Sequence, residues 1–304
     1  MSGFVVIDAH HHLTDLRRSY PWLEGPAEPF RYHGDDRPIR RSYSVDDYLA
    51  DARDVTLAAS VHVENGAADA LAETAWIDAL SRERPVPTVH VAHVSLLDAD
   101  APRQLEEHAG YSVTRGVRDI LNWHPDPVFT HRDRPGISAD PVWRAHFARL
   151  EPLGLSFDLQ VFPSQLQEGA ELAGAFPGTA IVLDHLGMPI GRDSDSVDEW
   201  RRGLRAVAER ENTVVKISAM GTNDHSWTRA SIAPFVLETL EIFGPERTMV
   251  GSNFPVDGLY SSFTELYSAF DALTAQLSPP ERLAVFAGTA DRFYRMGVAL
   301  PRAE

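Results

Sequence analysis

The chain has 304 residues, with 28 Lys and Arg against 44 Asp and Glu, a formal net charge of -16 and no cysteine. So acidic a chain argues against nucleic acid or an anionic membrane as partner, since both rely on Lys and Arg to neutralise phosphates. The missing thiols exclude disulfides, thiolate metal sites and cysteine nucleophiles, so any metal must be held by His, carboxylate or water.

The first element is an apolar run, Val5-Val6-Ile7, that ends in Asp8-Ala9-His10-His11-His12. No basic or apolar leader precedes it, so a cytoplasmic protein is expected. Strand alternation puts Asp8, His10 and His12 on one face and Ile7 and His11 on the other. Two imidazoles two residues apart on one face can grip one ion or one substrate. Residues 13–44 follow without periodicity but with Tyr20, Trp22, Phe30 and Tyr32 among several prolines. Connections this long are usually functional, and the aromatics predict a lid over the end of the first strand.

From Ser44 the pattern becomes periodic. Ser44 with Asp46 and Asp47 predicts a capped helix to about Arg53. Strands are expected over 58–64, 86–97, 114–121, 155–162, 179–185, 213–217 and 247–252. Helices are expected over 67–84, 101–108, 140–150, 164–176, 197–211 and 228–243, with two more from about 262 and 279. Eight strands, each followed by helical sequence, predict parallel pairing and closure into a (β/α)8 TIM barrel. No linker or composition break divides the chain, so residues 1–304 are read as one domain. An open doubly wound sheet would place a glycine-rich phosphate turn where this sequence has histidines.

A barrel builds its site at the C-terminal ends of its strands, and polar residues recur there: His62 and Glu64, Arg118 and Asn122-Trp123-His124, Asp158 and Gln160, Asp184-His185, and Asn253 with Asp257. His10, His12, His62, Arg118, His185 and Asn253 are expected to meet at one mouth. Arg118 offers a planar fork for a carboxylate or polarised oxygen, Asn122, Trp123 and His124 would shape specificity, and Lys216 would need Glu64 or Asp158 as partner if it points inward. His33, His108, His131, His146 and His225 read as surface or packing residues, with His33 and His225 the exceptions to watch.

The opening I-D-A-H-H-H, Phe157-Asp-Leu-Gln-Val161, the D-H-L-G at Asp184 to Gly187, Gly251-Ser-Asn-Phe-Pro255 and Asp291-Arg-Phe-Tyr294 together resemble the amidohydrolase superfamily. Within it they resemble the branch containing L-fuconolactonase and 2-pyrone-4,6-dicarboxylate lactonase. The resemblance implies a hydrolase opening a small carboxylated or polyhydroxylated lactone. It places the H-x-H pair on His10 and His12 and the strand-six histidine on His185, residues that in relatives bind a divalent metal or the substrate carbonyl. One Zn²⁺ on these three imidazoles, or the same three acting without metal, both remain open. Two departures stand out: Asp158 and Gln160 replace the usual strand-five histidine, and Asn253 occupies the position of the strand-eight aspartate that takes the proton of the attacking water. An amide is no base near neutral pH, so Asp257 or Glu64 is expected to replace it. The alternatives are a metal-dependent decarboxylase of an aromatic acid on the same fold, or a non-catalytic binding barrel. The expected partner is a small molecule, and a homo-oligomer is compatible with the sequence.

Overall fold

The computed structural model describes residues 5–25 and 32–301; Pro26, Pro29 and Phe30 of the expected lid lie outside them. Eight parallel strands form one sheet in chain order: β1 (Val5–His11), β2 (Thr56–Val63), β3 (Val89–His93), β4 (Thr114–Arg118), β5 (Ser156–Leu159), β6 (Ile181–Leu183), β7 (Thr213–Ile217) and β8 (Thr248–Val250). Helices alternate with them, so the (β/α)8 architecture is as expected. Several strands are shorter than their apolar runs. Pro87 has no N–H for the ladder, and β3 begins only after it. After β6 the chain turns away through left-handed residues at His185, Leu186 and Met188.

Caps set the helix starts where the sequence signals them. Ser44 and Asp47 form a reciprocal capping box ahead of Val45–Asp51, and Thr228 accepts from the Ser231 N–H ahead of Arg229–Phe243. The expected helix over 140–150 is two pieces, Pro141–Phe147 and Leu150–Leu153. Inside the barrel, Ile7, Ala9, Val61, Val91, Val182 and Met249 pack on Ala287, Ala290 and Tyr294 of the closing helical segment. Outside, the strand faces pack on the helix layer, as Val117, Phe157 and Leu183 do with Trp143 and Phe147.

The β1 register corrects the expectation about its faces. Asp8 pairs with Ser60 but His11 with His62, so three steps on β1 match two on β2, a bulge that breaks the alternation. Asp8 and His11 both turn to Tyr48 of the first helix: Tyr48 OH donates to Asp8 Oδ2 at 2.7 Å, and the His11 ring stacks on Tyr48 at 4.1 Å. Asp8 therefore does not share a face with His10 and His12. Its carboxylate accepts instead from Ser252 N–H and Oγ–H, each at 2.7 Å, just after β8.

That contact belongs to the seam that closes the barrel. Asn253 N–H donates to His10 O at 2.7 Å and His12 N–H to Phe254 O at 2.8 Å. Gly251 makes the approach feasible, because a Cβ there would lie 2.8 Å from His10 Cβ and 2.9 Å from His10 N. Gly251→Ala should therefore destabilise the fold by about 1–3 kcal/mol, the usual cost of overpacking, read as a lowered midpoint of denaturant unfolding; an unchanged midpoint would contradict this account of the seam.

A second correction concerns His62, which faces the helix layer rather than the mouth. His90 Nδ1 donates to His62 O (3.2 Å) and lies 3.0 Å from His62 Nδ1. Its Nε2 then accepts from Thr74 Oγ1, whose oxygen accepts from His108 Nδ1, at 3.0 and 2.9 Å. Burial holds all three rings neutral, lowering His90 to about 3, His108 to about 4 and His62 well below its ordinary value. The unfolded chain takes up protons on these rings below about pH 6.5 while the folded one does not, so their contribution is complete above that pH and is lost as pH falls. Each should cost about 1.4 kcal/mol per pH unit in that window. Denaturant unfolding at pH 7 and pH 5 should show a marked loss at the lower pH, and equal stabilities would refute this reading.

Candidate active site

A cavity of about 400 Å³ opens at the C-terminal mouth of the barrel, lined by His12, Glu64, Arg118, His185 and Asn253 among others. A larger groove of about 520 Å³ lies elsewhere beside Pro38, Arg41 and Leu259, with no histidine in its wall. The candidate site is therefore the cavity at the mouth. Backbone strain concentrates there too: His185, Ala219 and Asn253, which follow β6, β7 and β8, all have φ near +58° (58°, 59° and 58°). Left-handed conformations cost energy for side chains other than Gly, least so for Asn, and cluster where a site needs a particular aim.

His12 shows what that aim achieves. Its Nδ1 lies 2.8 Å from Val63 O, which can only accept, so Nδ1 carries the hydrogen. Burial first, and then Arg118, lower its pKa to about 4, so the ring is neutral with a lone pair on Nε2. Asn253 Oδ1 lies 3.3 Å from that nitrogen. The amide is oriented by its other end: Nδ2 donates to Thr222 Oγ1 at 3.2 Å and to Asp257 Oδ1 at 3.1 Å. His185 is likewise neutral, lowered to about 3 chiefly by burial, with Nδ1 2.8 Å from Ser218 Oγ.

His10 lies fully buried beside the cavity, its ring 4.5 Å from His185 and 5.1 Å from His12. Its Nδ1 sits 3.3 Å from Lys216 Nζ and 3.4 Å from Asp184 Oδ1. Accepting from Lys216 puts a hydrogen on Nε2; donating to Asp184 leaves a lone pair there. Lys216 points inward, pairs with Asp158, as the sequence suggested, and lies 3.0 Å from Asp184 Oδ1. Tyr294 OH donates to Asp158 Oδ2 at 3.0 Å beneath them.

Ligand atoms of His10, Asp184 and His185 all lie within 4.8 Å of one another. The set expected from sequence was His10, His12 and His185; the geometry brings Asp184 into it and leaves His12 outside. Two imidazoles and a carboxylate make a donor set that suits divalent zinc, and His10 Nε2 is buried with no hydrogen-bond partner among the described residues. These residues fit an ion in the tautomer that gives the His10 Nδ1 hydrogen to Asp184.

Neither expected replacement base is free. Asp257 does not line the cavity: its buried carboxylate accepts from Gly221 N–H (2.9 Å), Thr222 N–H (3.1 Å), Thr222 Oγ–H (2.7 Å) and Asn253. Burial raises its pKa, and those donors oppose the rise. Glu64 does line the cavity, but its Oε1 takes Arg118 Nε at 2.7 Å and Nη2 at 2.6 Å, and its Oε2 takes Gly66 N–H at 2.8 Å. Burial would raise its pKa; Arg118 outweighs it and holds Glu64 at about 2. Arg118 in turn gives Nη2 to Glu64 O (2.8 Å) and Nη1 to Gln160 Oε1 (2.9 Å).

The expected specificity residues divide similarly. Asn122 stands behind the wall, accepting from Gln160 Nε2 at 3.1 Å. Trp123 and His124 do not line the cavity, and His124 packs on Phe129 and Phe162. The wall instead includes His93, His131, Gln160 and Thr222, with Trp22, Tyr32 and His33 from the 13–44 segment. His93 was hidden because its apolar run continues to Leu97, so nothing marked it as a strand end. His131 was read as surface or packing; its N–H donates to Asn122 O at 2.9 Å, folding a patternless loop back over the mouth. His225 supports the wall from behind, with Nε2 donating to Tyr32 O at 2.8 Å.

The amidohydrolase family model matches residues 7–296. This chain belongs to the amidohydrolase family. It is 37% identical to the uncharacterised protein y4mH of Sinorhizobium fredii over 97% of this chain and the whole of that protein. It is 28% identical to the L-fucono-1,5-lactonase of Burkholderia multivorans over 97% of each. A solved amidohydrolase structure from Burkholderia multivorans with bound zinc superposes with a TM-score of 0.80 at 25% identity, covering 96% of this chain and 99% of that one. The amidohydrolase is thus a hydrolase on a TIM barrel, and among its described residues no helix is long and apolar enough to cross a membrane.

The Arg118–Glu64 pair is buried, with 6% and 2% of the side chains exposed. Glu64→Gln strands the guanidinium and should destabilise the amidohydrolase by about 3–5 kcal/mol. Because the acid's pKa is lowered in the fold, this contribution is present above the unfolded value of about 4.5 and is lost as pH falls towards 2. Wild type and variant should converge in denaturant stability as the buffer is taken from pH 6 to pH 3, whereas a constant gap would count against the pair.

Proposed function

We propose that this amidohydrolase hydrolyses a neutral, polyhydroxylated lactone and not a carboxylated one. The observation that carries the reading is the state of Arg118. Among the described residues it is the one guanidinium or ammonium group in the cavity wall, and four of its five hydrogens are committed to Glu64 and Gln160, which leaves a single Nη1–H on the side of Asp184, 3.9 Å from its Oδ2. A substrate carboxylate would find no bidentate fork there and would face Glu64. Hydroxyl groups, by contrast, meet neutral polar side chains in the wall at His93, His131 and Tyr32. The likeness to L-fucono-1,5-lactonases supports the same class.

His12 takes the role first assigned to a carboxylate. Its Nε2 lone pair accepts the proton of the attacking water, and the resulting imidazolium has an acceptor for each N–H, Val63 O and Asn253 Oδ1. Collapse of the tetrahedral adduct breaks the ring C–O bond, and His12 returns its proton to the departing alkoxide, so one residue serves as base and then acid. A divalent ion held by His10, Asp184 and His185 would supply Lewis-acid polarisation of the lactone carbonyl. The cavity's volume suits one small ring.

The experiment is a pH-stat assay of the purified amidohydrolase on L-fucono-1,5-lactone, other neutral aldonolactones and 2-pyrone-4,6-dicarboxylate. Acid release is expected from neutral lactones and far slower release from the dicarboxylate, with His12→Ala lowering kcat by about 10²–10⁴ as for loss of a general base. Preference for the dicarboxylate, or CO₂ release from an aromatic acid without lactone opening, would overturn the assignment.

A further inference from the structure

Asn253 is an amide where the resemblance to the family leads one to expect an acid, and its usefulness depends on which end faces His12. With Nδ2 towards His12, it would donate to the Nε2 lone pair and block the group that must receive a proton. With Oδ1 towards His12, two lone pairs stand 3.3 Å apart, one on each side chain. That arrangement attracts an electropositive atom, whether a water hydrogen or a cation, and repels another acceptor. Amide orientation is assigned from hydrogen-bond partners, and here the partners allow one choice. Asp257 Oδ1 can only accept as a carboxylate, and the Thr222 hydroxyl, already donating to Asp257 at 2.7 Å, has only its oxygen left for Asn253. A reversed amide would point its oxygen at both.

We propose that Asp257 is a positioning residue: its buried carboxylate, together with the Thr222 hydroxyl, locks the Asn253 amide so that His12 Nε2 and Asn253 Oδ1 jointly receive the attacking water. The inference rests on the lactonase reading for its catalytic consequence, though the amide geometry is independent of it. Asp257 itself does not line the cavity. It acts four residues away along the chain from Asn253, tied to the turn after β7 by the Gly221 and Thr222 N–H groups. The lock therefore spans the turns that follow β7 and β8 and fixes one against the other at the mouth.

The test is a double-mutant cycle on the lactone that the wild type opens. Asp257→Asn should lower kcat at least tenfold with KM within about threefold, since substrate contacts are untouched. In an Asn253→Ala background the same change should have no further effect, because residues acting through one another are not additive. Additive losses, or wild-type kcat in Asp257→Asn, would overturn the proposal. If Asp257→Asn does not fold, as judged by circular dichroism, Thr222→Val removes the hydroxyl from the same lock and enters the cycle in its place. Two readouts stand apart from turnover. The Asn253 side-chain NH₂ signals in a ¹H–¹⁵N spectrum, identified by their loss in Asn253→Ala, should exchange slowly with solvent in the wild type and rapidly in Asp257→Asn or Thr222→Val. Slow exchange in both would overturn the lock even if no lactone is turned over, whereas a lactone-inert protein with the expected exchange pattern would overturn only the lactonase reading. Calorimetric titration with Zn²⁺ checks that the lone pairs meet water: affinity unchanged in the variant is expected, and affinity that falls with kcat would overturn the assignment to water in favour of a cation.

Discussion

The seam between β1 and β8 is the contact on which the rest of this hydrolase depends. Barrel closure needs these two edges to meet, and the backbone bonds that join them come from His10, His12, Asn253 and Phe254. The seam thus includes His12 and Asn253, the residues to which we assign the chemistry. Any loosening of the seam would move His12 relative to Asn253, and catalytic geometry tolerates little displacement. The bulge in β1 serves the same end. It sends Asp8 outward to hold Ser252 and leaves His10 and His12 inside, so one irregularity supplies both the fastener and the working face.

Burial then decides protonation. His10, His12 and His185 are nearly or fully enclosed, and desolvation disfavours their charged forms. An enclosed neutral imidazole must still place its hydrogen somewhere, and the choice of neighbour fixes the tautomer. Val63 O decides it for His12, while Lys216 and Asp184 compete for His10. The shape of the site is therefore less informative than the direction of its hydrogens, which the partners reveal.

Most of the barrel was legible in the sequence because its strands are apolar runs separated by helical periodicity, and β7 was bounded correctly from its apolar run. The motif residues His10, His12, Arg118, His185 and Asn253 were legible as strand ends. What escaped was anything set by register or by the return of a loop. Strict alternation put Asp8 beside His10, since a bulge leaves no mark in composition. His62 looked like a mouth residue because its strand end is polar, yet its partner His90 lies on the outer face. Asp257 looked like a base because it is an acid near Asn253; only coordinates reveal four donors already on it. His131 sits in a loop with no period to place it, and proximity in space had no counterpart in spacing.

Charge accounting explains why an amide is tolerable at position 253. Around the mouth and its floor, Arg118 and Lys216 supply two positive charges, while Glu64, Asp158, Asp184 and Asp257 supply up to four negative ones. An acid at 253 would add another carboxylate about 3 Å from Asp257, and two carboxylates that close cannot both ionise. The amide keeps an oxygen facing His12 without that repulsion, and its NH₂ neutralises part of Asp257's demand for donors. The same balance bears on ligands: a carboxylated molecule would enter a cavity whose local sign already matches its own and whose chain carries a net -16, with no free cation in the described wall to reverse it. Hydroxyls carry no such penalty, so the amide at 253 and the selectivity against anions that we propose would have a common electrostatic origin.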